Sequence, residues 1–288
     1  DRESIRNAGL KIVVDCVNSV GGIVIPELLE ALGVKEVVKL YCSPTGLFPH
    51  NPEPVPENLT AISEKVNETG SDLGFVVDPD VDRLAIVDEN GMMFGEEYTL
   101  VAVADYILNH KKGNTVSNLS SSRALKDITE QYGGEYFATA VGEVNVVKVM
   151  KEQNAVIGGE GNGGVIYPDL HYGRDALVGI GLFLSHLAKS GKSCSSLRTL
   201  YPDYHILKRK IQLTHEINID QLLEDLRSDY KEFPMNLVDG VRIDFPNGWV
   251  HLRKSNTEPI IRIISEGKTV EDARELSDML MNRIDKKM

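Results

Sequence analysis

Three short stretches of the chain have side chains whose types and spacing could do chemistry. The first is Asp78-Pro79-Asp80-Val81-Asp82-Arg83, with carboxylates at i, i+2 and i+4. On an extended or gently curved backbone such groups converge on one side. Three like charges this close repel unless a cation neutralises them. An all-carboxylate set suits a hard ion, Mg2+ before Ca2+. The spacing imitates an EF-hand, with Glu89 at the twelfth place, but Arg83 stands where that loop needs glycine. The preceding Leu73 to Val77 run is also strand-like, not helical. Two readings remain, a cation cradle and a solvated acidic turn; the scarcity of triple-aspartate loops at strand ends favours the cradle.

The second stretch is Gly158-Gly159-Glu160-Gly161-Asn162-Gly163-Gly164. Gly159, Gly161 and Gly164 satisfy G-x-G-x-x-G after a strand-like run, but Val165-Ile166-Tyr167-Pro168 reads extended where a dinucleotide site must open a helix. What is left is a carboxylate and an amide among glycines, which let the backbone approach a ligand closely. Glu160 and Asn162 could hydrogen-bond vicinal sugar hydroxyls. From this loop alone, a tight turn is the simpler reading.

The third stretch is Arg253-Lys254-Ser255-Asn256-Thr257-Glu258-Pro259, followed by Arg262 amid Ile260, Ile261, Ile263 and Ile264. It offers three cations, three neutral side chains and turn N–H groups. An arginine in so apolar a strand calls for an anionic partner. A phosphate fits, and Glu258 could serve in a purely structural pair; the cluster of donors favours phosphate. No Walker A loop, G-x-S-x-G elbow or H-E-x-x-H motif occurs, and His110, His186, His205 and His215 read as surface or packing residues.

Composition sets the conditions for these loops. With 43 acidic and 31 basic residues the net charge is −12, which argues against nucleic acid or an anionic membrane as partner. Any phosphate must therefore be drawn by a local basic pocket, which the third stretch supplies. Cys16, Cys42 and Cys194 are widely spaced and form no C-x-x-C pair, so reduced thiols in a cytoplasmic setting are expected. No run of about 18 apolar residues is present to span a membrane. A chain that opens on Asp1 is expected to be a piece of something longer.

The elements that must position the loops read as follows. Strand runs at Leu10 to Asp15 and Val37 to Leu40 alternate with helices from Ile23 to Leu32 and around Leu59 to Val66. The stretch from Ser43 to Pro56 holds five prolines and is a loop. Strands Leu73 to Val77 and Leu84 to Val87 flank the acidic loop. A second α/β unit follows, with helices Glu96 to Asn109, Ser121 to Tyr132 and Asp175 to Ser190 and a buried strand Ala155 to Gly158. After Tyr201-Pro202-Asp203-Tyr204 the character changes. A helix near Ile219 to Asp229 precedes strands Gly240 to Phe245, Trp249 to Arg253 and Ile260 to Ser265, and Thr269 with Asp272 starts a terminal helix as a capping box. The expected architecture is two successive α/β domains with mixed sheets, 1–94 and 95–200, followed by a small α+β C-terminal domain, 201–288.

Taken together, the three loops resemble those of the α-D-phosphohexomutases. In that family the metal loop reads D-x-D-x-D-R, the sugar loop G-E-x-S-G-H and the phosphate loop R-x-S-N/G-T-E-P, in this order and at this spacing. The resemblance implies an enzyme interconverting hexose 1-phosphate and hexose 6-phosphate, of phosphoglucomutase/phosphomannomutase type. Asp78, Asp80 and Asp82 would bind Mg2+, and Arg83 would help hold the phosphate of a phosphoserine. Glu160 and Asn162 would read the sugar; Arg253, Ser255, Asn256, Thr257 and Arg262 would grip the phosphate that is not transferred. A hexose 1,6-bisphosphate would be the intermediate. Asn162 replaces the usual serine and Gly164 the usual histidine, for which His171 or Tyr172 could substitute. The family's serine loop, T-A-S-H-N-P-like, is absent; Phe48-Pro49-His50-Asn51-Pro52 shares letters but has no serine. The chain alone is thus expected to be inactive without an N-terminal serine domain, with weak Mg2+ binding. The alternatives are a phosphoglucosamine mutase and a non-catalytic phosphosugar-binding module. A Mg2+-dependent phosphatase is disfavoured, since Asp82 is followed by Arg83-Leu84 rather than by a nearby Asp and Thr.

Overall fold

A computed structural model of the chain describes residues 1–212, 219–255 and 258–285. His215, Asn256 and Thr257 therefore lie outside the described residues. Two compact units separate: Asp1–Phe137 with Gly142–Pro202, and Ala138–Val141 with Asp203 onward.

The first unit begins with α1 (Arg2–Ala8), β1 (Lys11–Asp15), α2 (Gly21–Leu32), β2 (Glu36–Leu40), α3 (Thr60–Thr69), β3 (Leu73–Val77) and β4 (Leu84–Asp88). These strands form a sheet of order β2-β1-β3-β4, in which β1 is parallel to β2 and β3 while β4 returns antiparallel to β3. Then come α4 (Tyr98–His110), β5 (Thr115–Asn118), α5 (Ala124–Gln131), β6 (Tyr136–Thr139), α6 (Glu143–Glu152), β7 (Ile157–Glu160), β8 (Gly164–Ile166), α7 (Ala176–Ser190) and α8 (Cys194–Arg198), of which all but Ala138 and Thr139 of β6 belong to the first unit. The second sheet has order β6-β5-β7-β8, with β5 parallel to β7 and β8 antiparallel to β7. The two sheets repeat one strand order, a likeness the sequence shows only faintly. In each, the closing hairpin carries a loop of interest: the acidic turn joins β3 to β4, and the glycine turn joins β7 to β8.

One helix pair packs against the hairpins of both sheets. In α4 every residue from Tyr98 to Ala104 is buried, as befits a helix covered on all sides. It packs against β4, β7, β8, α5 and α7, and α7 in turn touches β4 and β8. Phe183 of α7 meets Phe75 of β3 and Phe94 edge-on, with centroids 6.1 and 5.2 Å away. Each such buried ring contributes roughly 2 kcal/mol of transfer free energy. Asp175 caps α7 by accepting from Leu177 N at 2.7 Å and Val178 N at 3.1 Å, which fixes the segment just before the helix.

The second unit contains β9 (His205–Gln212), α9 (Ile219–Asp229), β10 (Met235–Asn236), β11 (Val241–Phe245), β12 (Gly248–Lys254), β13 (Ile260–Gly267) and α10 (Val270–Asp285). Its sheet, β10-β11-β12-β13-β9, is antiparallel throughout. Leu222 and Leu226 of α9 and Leu280 and Ile284 of α10 share one core with Val250, Leu252, Ile261 and Ile263 of the sheet. Trp249 is fully buried and donates to Glu266 Oε1 at 2.6 Å. The capping box forms as the spacing predicts: Asp272 N donates to Thr269 Oγ1 at 3.0 Å, and Thr269 N to Asp272 Oδ2 at 3.2 Å.

The expected fold class, α/β with mixed sheets and then an antiparallel α+β part, is the one observed. Some boundaries move. α4 starts at Tyr98, not Glu96, and α5 at Ala124, not Ser121. Ser122 is held out of the helix because its N–H donates to Glu97 Oε2 at 2.8 Å and its hydroxyl accepts from Ala124 N at 3.2 Å. The sequence reading did not find α1, β5, β6, α6, α8, β9 or β10. β5 and β6 have four residues each, too few to show a period. β9 lies at a sheet edge and bears Lys208, Arg209 and Lys210, charges that suit an edge and mask its pattern. No helix among the described residues is long and apolar enough to cross a membrane.

Candidate active site

The acidic turn is built around Asp78. This residue is 5% exposed, and its Oδ1 accepts the N–H groups of Asp82 and Arg83, both at 3.0 Å. The turn closes through Val81, held at φ 61°, whose N–H donates to Asp78 O at 3.1 Å. A left-handed valine is strained, and such strain gathers at functional turns. The result is that one oxygen each of Asp78, Asp80 and Asp82 lies within 4.8 Å of the others; among the described residues no other such group of three exists. Burial, and then the charges of Asp82 and Asp80, push the Asp78 carboxyl up to about 7 against the opposing Arg83 N–H bond. Asp82 Oδ1 is buried without a hydrogen-bond partner. A bound cation would answer both features, so the residues present fit one.

Arg83 stands among carboxylates. Its Nε lies 3.4 Å from Asp78 Oδ2 and 3.7 Å from Asp82 Oδ1, and its Nη1 lies 3.6 Å from Glu53 Oε1. Glu53 belongs to the proline-rich loop, which His50 also anchors through a 3.0 Å contact with Asp15 Oδ2 at the end of β1.

The glycine loop is tied to the acidic turn. Leu84 N donates to Gly163 O at 3.0 Å, and Ala176 N to Val81 O at 3.0 Å. Glu160 is 5% exposed and already engaged: Oε1 accepts from Asn118 Nδ2 at 2.8 Å and Gly142 N at 3.0 Å, and Oε2 from Arg174 Nη1 at 2.9 Å. Asn162 makes an Asx turn, its Oδ1 accepting from Gly164 N at 3.2 Å. Asn118 and Glu160 end the neighbouring parallel strands β5 and β7, and Asp15 and Asp78 stand at the ends of β1 and β3. This is the carboxyl edge at which open α/β sheets bind ligands.

Arg174 is the residue that sequence reasoning missed. Its guanidinium bonds Asp82 Oδ2, Glu160 Oε2 at 2.9 Å and Glu143 Oε2 at 3.0 Å. Burial works against its charge, but the carboxylates of Asp82, Glu160 and Glu143 outweigh that and hold it protonated. The two residues considered as replacements for the histidine absent at 164 make the following contacts. His171 is exposed and contacts Asp175 Oδ2 at 2.9 Å, and Tyr172 lies under Lys151 Nζ, 4.7 Å from the ring centre.

In the second unit Arg253 and Arg262 face each other across β12 and β13. Arg253 is 9% exposed, and Ser255 N donates to Ile260 O at 2.9 Å across the hairpin. Ser255 Oγ accepts from Glu258 N at 3.3 Å. Arg262 Nη2 pairs with Glu258 Oε2 at 2.7 Å, the structural pairing that the sequence left open.

Comparison with known proteins gives these features a common setting. Residues 1–91 match the family model for phosphoglucomutase/phosphomannomutase alpha/beta/alpha domain II, residues 95–204 that for domain III, and residues 216–283 that for the C-terminal domain. A phosphoglucomutase/phosphomannomutase of Thermococcus kodakarensis is 38% identical over 97% of this chain and 61% of its own length. A protein of Methanopyrus kandleri named probable phosphoglucosamine mutase is 37% identical over 96% of this chain and 62% of its own. The crystal structure of a phosphoglucomutase/phosphomannomutase family protein from Burkholderia thailandensis superposes with TM-score 0.86 at 29% identity, over 99% of this chain and 63% of that one. The chain thus spans about three fifths of the length of the curated relatives it matches. With three successive family domains matched and the loop motifs in place, the chain belongs to the phosphoglucomutase/phosphomannomutase family.

Proposed function

We propose that the chain supplies the cation-, sugar- and phosphate-binding parts of an α-D-phosphohexomutase, an isomerase that moves phosphate between positions 1 and 6 of a hexose. The observation that carries this reading is the convergence of three carboxylates within 4.8 Å on a turn whose next residue, Leu84, is hydrogen-bonded to the glycine loop. Asp78, Asp80 and Asp82 would hold Mg2+, which when bound acts as a Lewis acid toward the transferring phosphoryl group. Arg83, poised among carboxylates, would turn to that phosphate. Glu160 and Asn162 would orient the sugar hydroxyls. Arg253, Ser255, Asn256, Thr257 and Arg262 would hold the phosphate that stays on the sugar. A grip indifferent to which end of the hexose it holds serves both half-reactions, with hexose 1,6-bisphosphate between them. The phosphoserine that gives and takes back the phosphate would come from a domain outside these 288 residues. The divisions 1–94, 95–200 and 201–288 would carry the cation, sugar and phosphate loops in turn. Three unpaired cysteines fit a reducing, cytoplasmic setting.

Glucose and mannose phosphates are the proposed substrates. The near-equal identity to a phosphoglucosamine mutase homologue keeps glucosamine phosphate as the second reading. Calorimetry with glucose, mannose and glucosamine 6-phosphates ranks the three on this chain, and a coupled assay with glucose 1-phosphate, Mg2+ and glucose 1,6-bisphosphate measures turnover. Sugar phosphate binding without turnover is expected for the chain by itself, with turnover once a serine domain is joined to it. Absence of all binding sinks the reading of the site, and turnover by the chain alone sinks the assignment of the phosphoserine.

A further inference from the structure

The path of the Arg174 side chain has a specific geometry. A β-carbon built on Gly164 would lie 2.5 Å from Arg174 Cδ and 3.1 Å from its Cγ. The arginine therefore runs over the glycine, through the space a side chain at 164 would fill. The guanidinium then spreads three ways. Nη2 holds Oδ2 of Asp82, leaving Oδ1, which has no hydrogen-bond partner and lies 3.7 Å from Arg83 Nε, as the oxygen to meet a cation. Nη1 holds Oε2 of buried Glu160 at 2.9 Å, and Nε holds Glu143 at 3.0 Å. The side chains of Asp82 and Arg174 are only 18% and 17% exposed, so water screens the pair weakly.

We propose that Arg174 is a positioning residue, which fixes the Asp82 carboxylate for the cation and Glu160 for the sugar, and so couples the two loops through one planar fork. A lysine could supply the charge but not the fork, because an ammonium cannot bond two carboxylates in fixed planar geometry. The absence of a side chain at 164 is then a requirement: the place where the family loop carries a histidine is the channel through which Arg174 reaches both carboxylates. This inference rests on the cation reading of Asp78, Asp80 and Asp82.

The test uses the whole chain, Mn2+ binding followed by electron paramagnetic resonance, and glucose 6-phosphate binding by calorimetry, with circular dichroism to confirm folding. Arg174→Lys keeps the charge and loses the fork. Gly164→Ala keeps the arginine and displaces it. Both are expected to weaken Mn2+ by about tenfold, the usual effect of losing a residue that orients a metal ligand, and to weaken glucose 6-phosphate as well. Asp80→Asn is expected to weaken Mn2+ alone. A role confined to stability would lower the melting temperature of the first two variants and leave both affinities within about twofold; that result, with Asp80→Asn still losing Mn2+, overturns the proposal and spares the cation reading. Tighter Mn2+ binding by Arg174→Gln would show that the arginine merely competes with the cation, and also overturns it. If Asp80→Asn leaves Mn2+ affinity unchanged, the cation reading falls and takes the proposal with it.

Discussion

Glu160 Oε2 accepts Arg174 Nη1 at 2.9 Å, and every group bonded to that carboxylate is a donor: Asn118 Nδ2 and Gly142 N share the other oxygen. The carboxylate thus ties together the end of β5, the start of α6 and the segment before α7. Glu160→Gln cannot reproduce this, since its amide must turn an NH2 toward at least one donor. The expected loss is about 2 kcal/mol or more of stability, the penalty for an unsatisfied buried pair. Urea denaturation measures it; a change under about 0.5 kcal/mol would mean that the three bonds do not hold the loop.

Gly163 joins the two hairpins from the other side. It sits at φ 86°, and a β-carbon there would lie 2.4 Å from Leu84 O, on the residue whose N–H donates to Gly163 O. Gly163→Ala combines left-handed strain with a backbone clash and should destabilise the first unit by about 3 kcal/mol. Because Leu84 directly follows the acidic turn, Mn2+ affinity should fall with it. A variant that keeps full affinity despite the lost stability would show that the turn does not depend on the glycine loop.

The loops were legible because chemistry forces rare compositions: three aspartates at alternate positions, a carboxylate among glycines, cations beside isoleucines. The strands that end in them were legible because they are short apolar runs closed by breakers. Arg174 was not, since Tyr172-Gly173-Arg174-Asp175 reads as an ordinary helix approach and its partners Asp82 and Glu143 lie 92 and 31 residues away. One signal existed: Gly164 in place of a histidine leaves a space that some other residue must fill. Asn118 was hidden for a related reason, because it lies in a four-residue strand with no period of its own. Glu160 could be chosen as a polar group, but its three bonds could not be seen, for the donors come from three separate elements.

The Arg262–Glu258 pair gives a direct check on the phosphate loop. Both side chains are well exposed, 41% and 50%, so the pair contributes little to stability. Glu258→Gln should shift unfolding by less than about 0.5 kcal/mol. If Arg262 grips phosphate, the same change frees it and removes a repelling charge. Glucose 6-phosphate should then bind about two- to fivefold tighter at low salt, with the gain shrinking as salt rises. Arg262→Gln should do the opposite. Equal affinity in all three proteins would remove Arg262 from the phosphate grip.

His251, fully buried in β12, makes the second unit sensitive to acid. Burial, helped by Arg242 and Arg253 and opposed by the bond from Nε2 to Asp239 O at 2.6 Å, lowers its pKa to about 4. In the unfolded chain it titrates near 6.5. As pH falls from about 6.5 toward 4, the unfolded state takes up a proton that the folded state refuses, so stability is lost across that window and is unaffected above it. Between pH 7 and pH 5 the loss from this group is about 2 kcal/mol. His251→Gln keeps an N–H donor and cannot titrate. The stability gap between the natural protein and this variant should therefore narrow by that amount on acidification. A gap that stays constant from pH 7 to pH 5 would mean that the imidazole takes up its proton in the fold as readily as in the unfolded chain, so that burial does not hold it neutral.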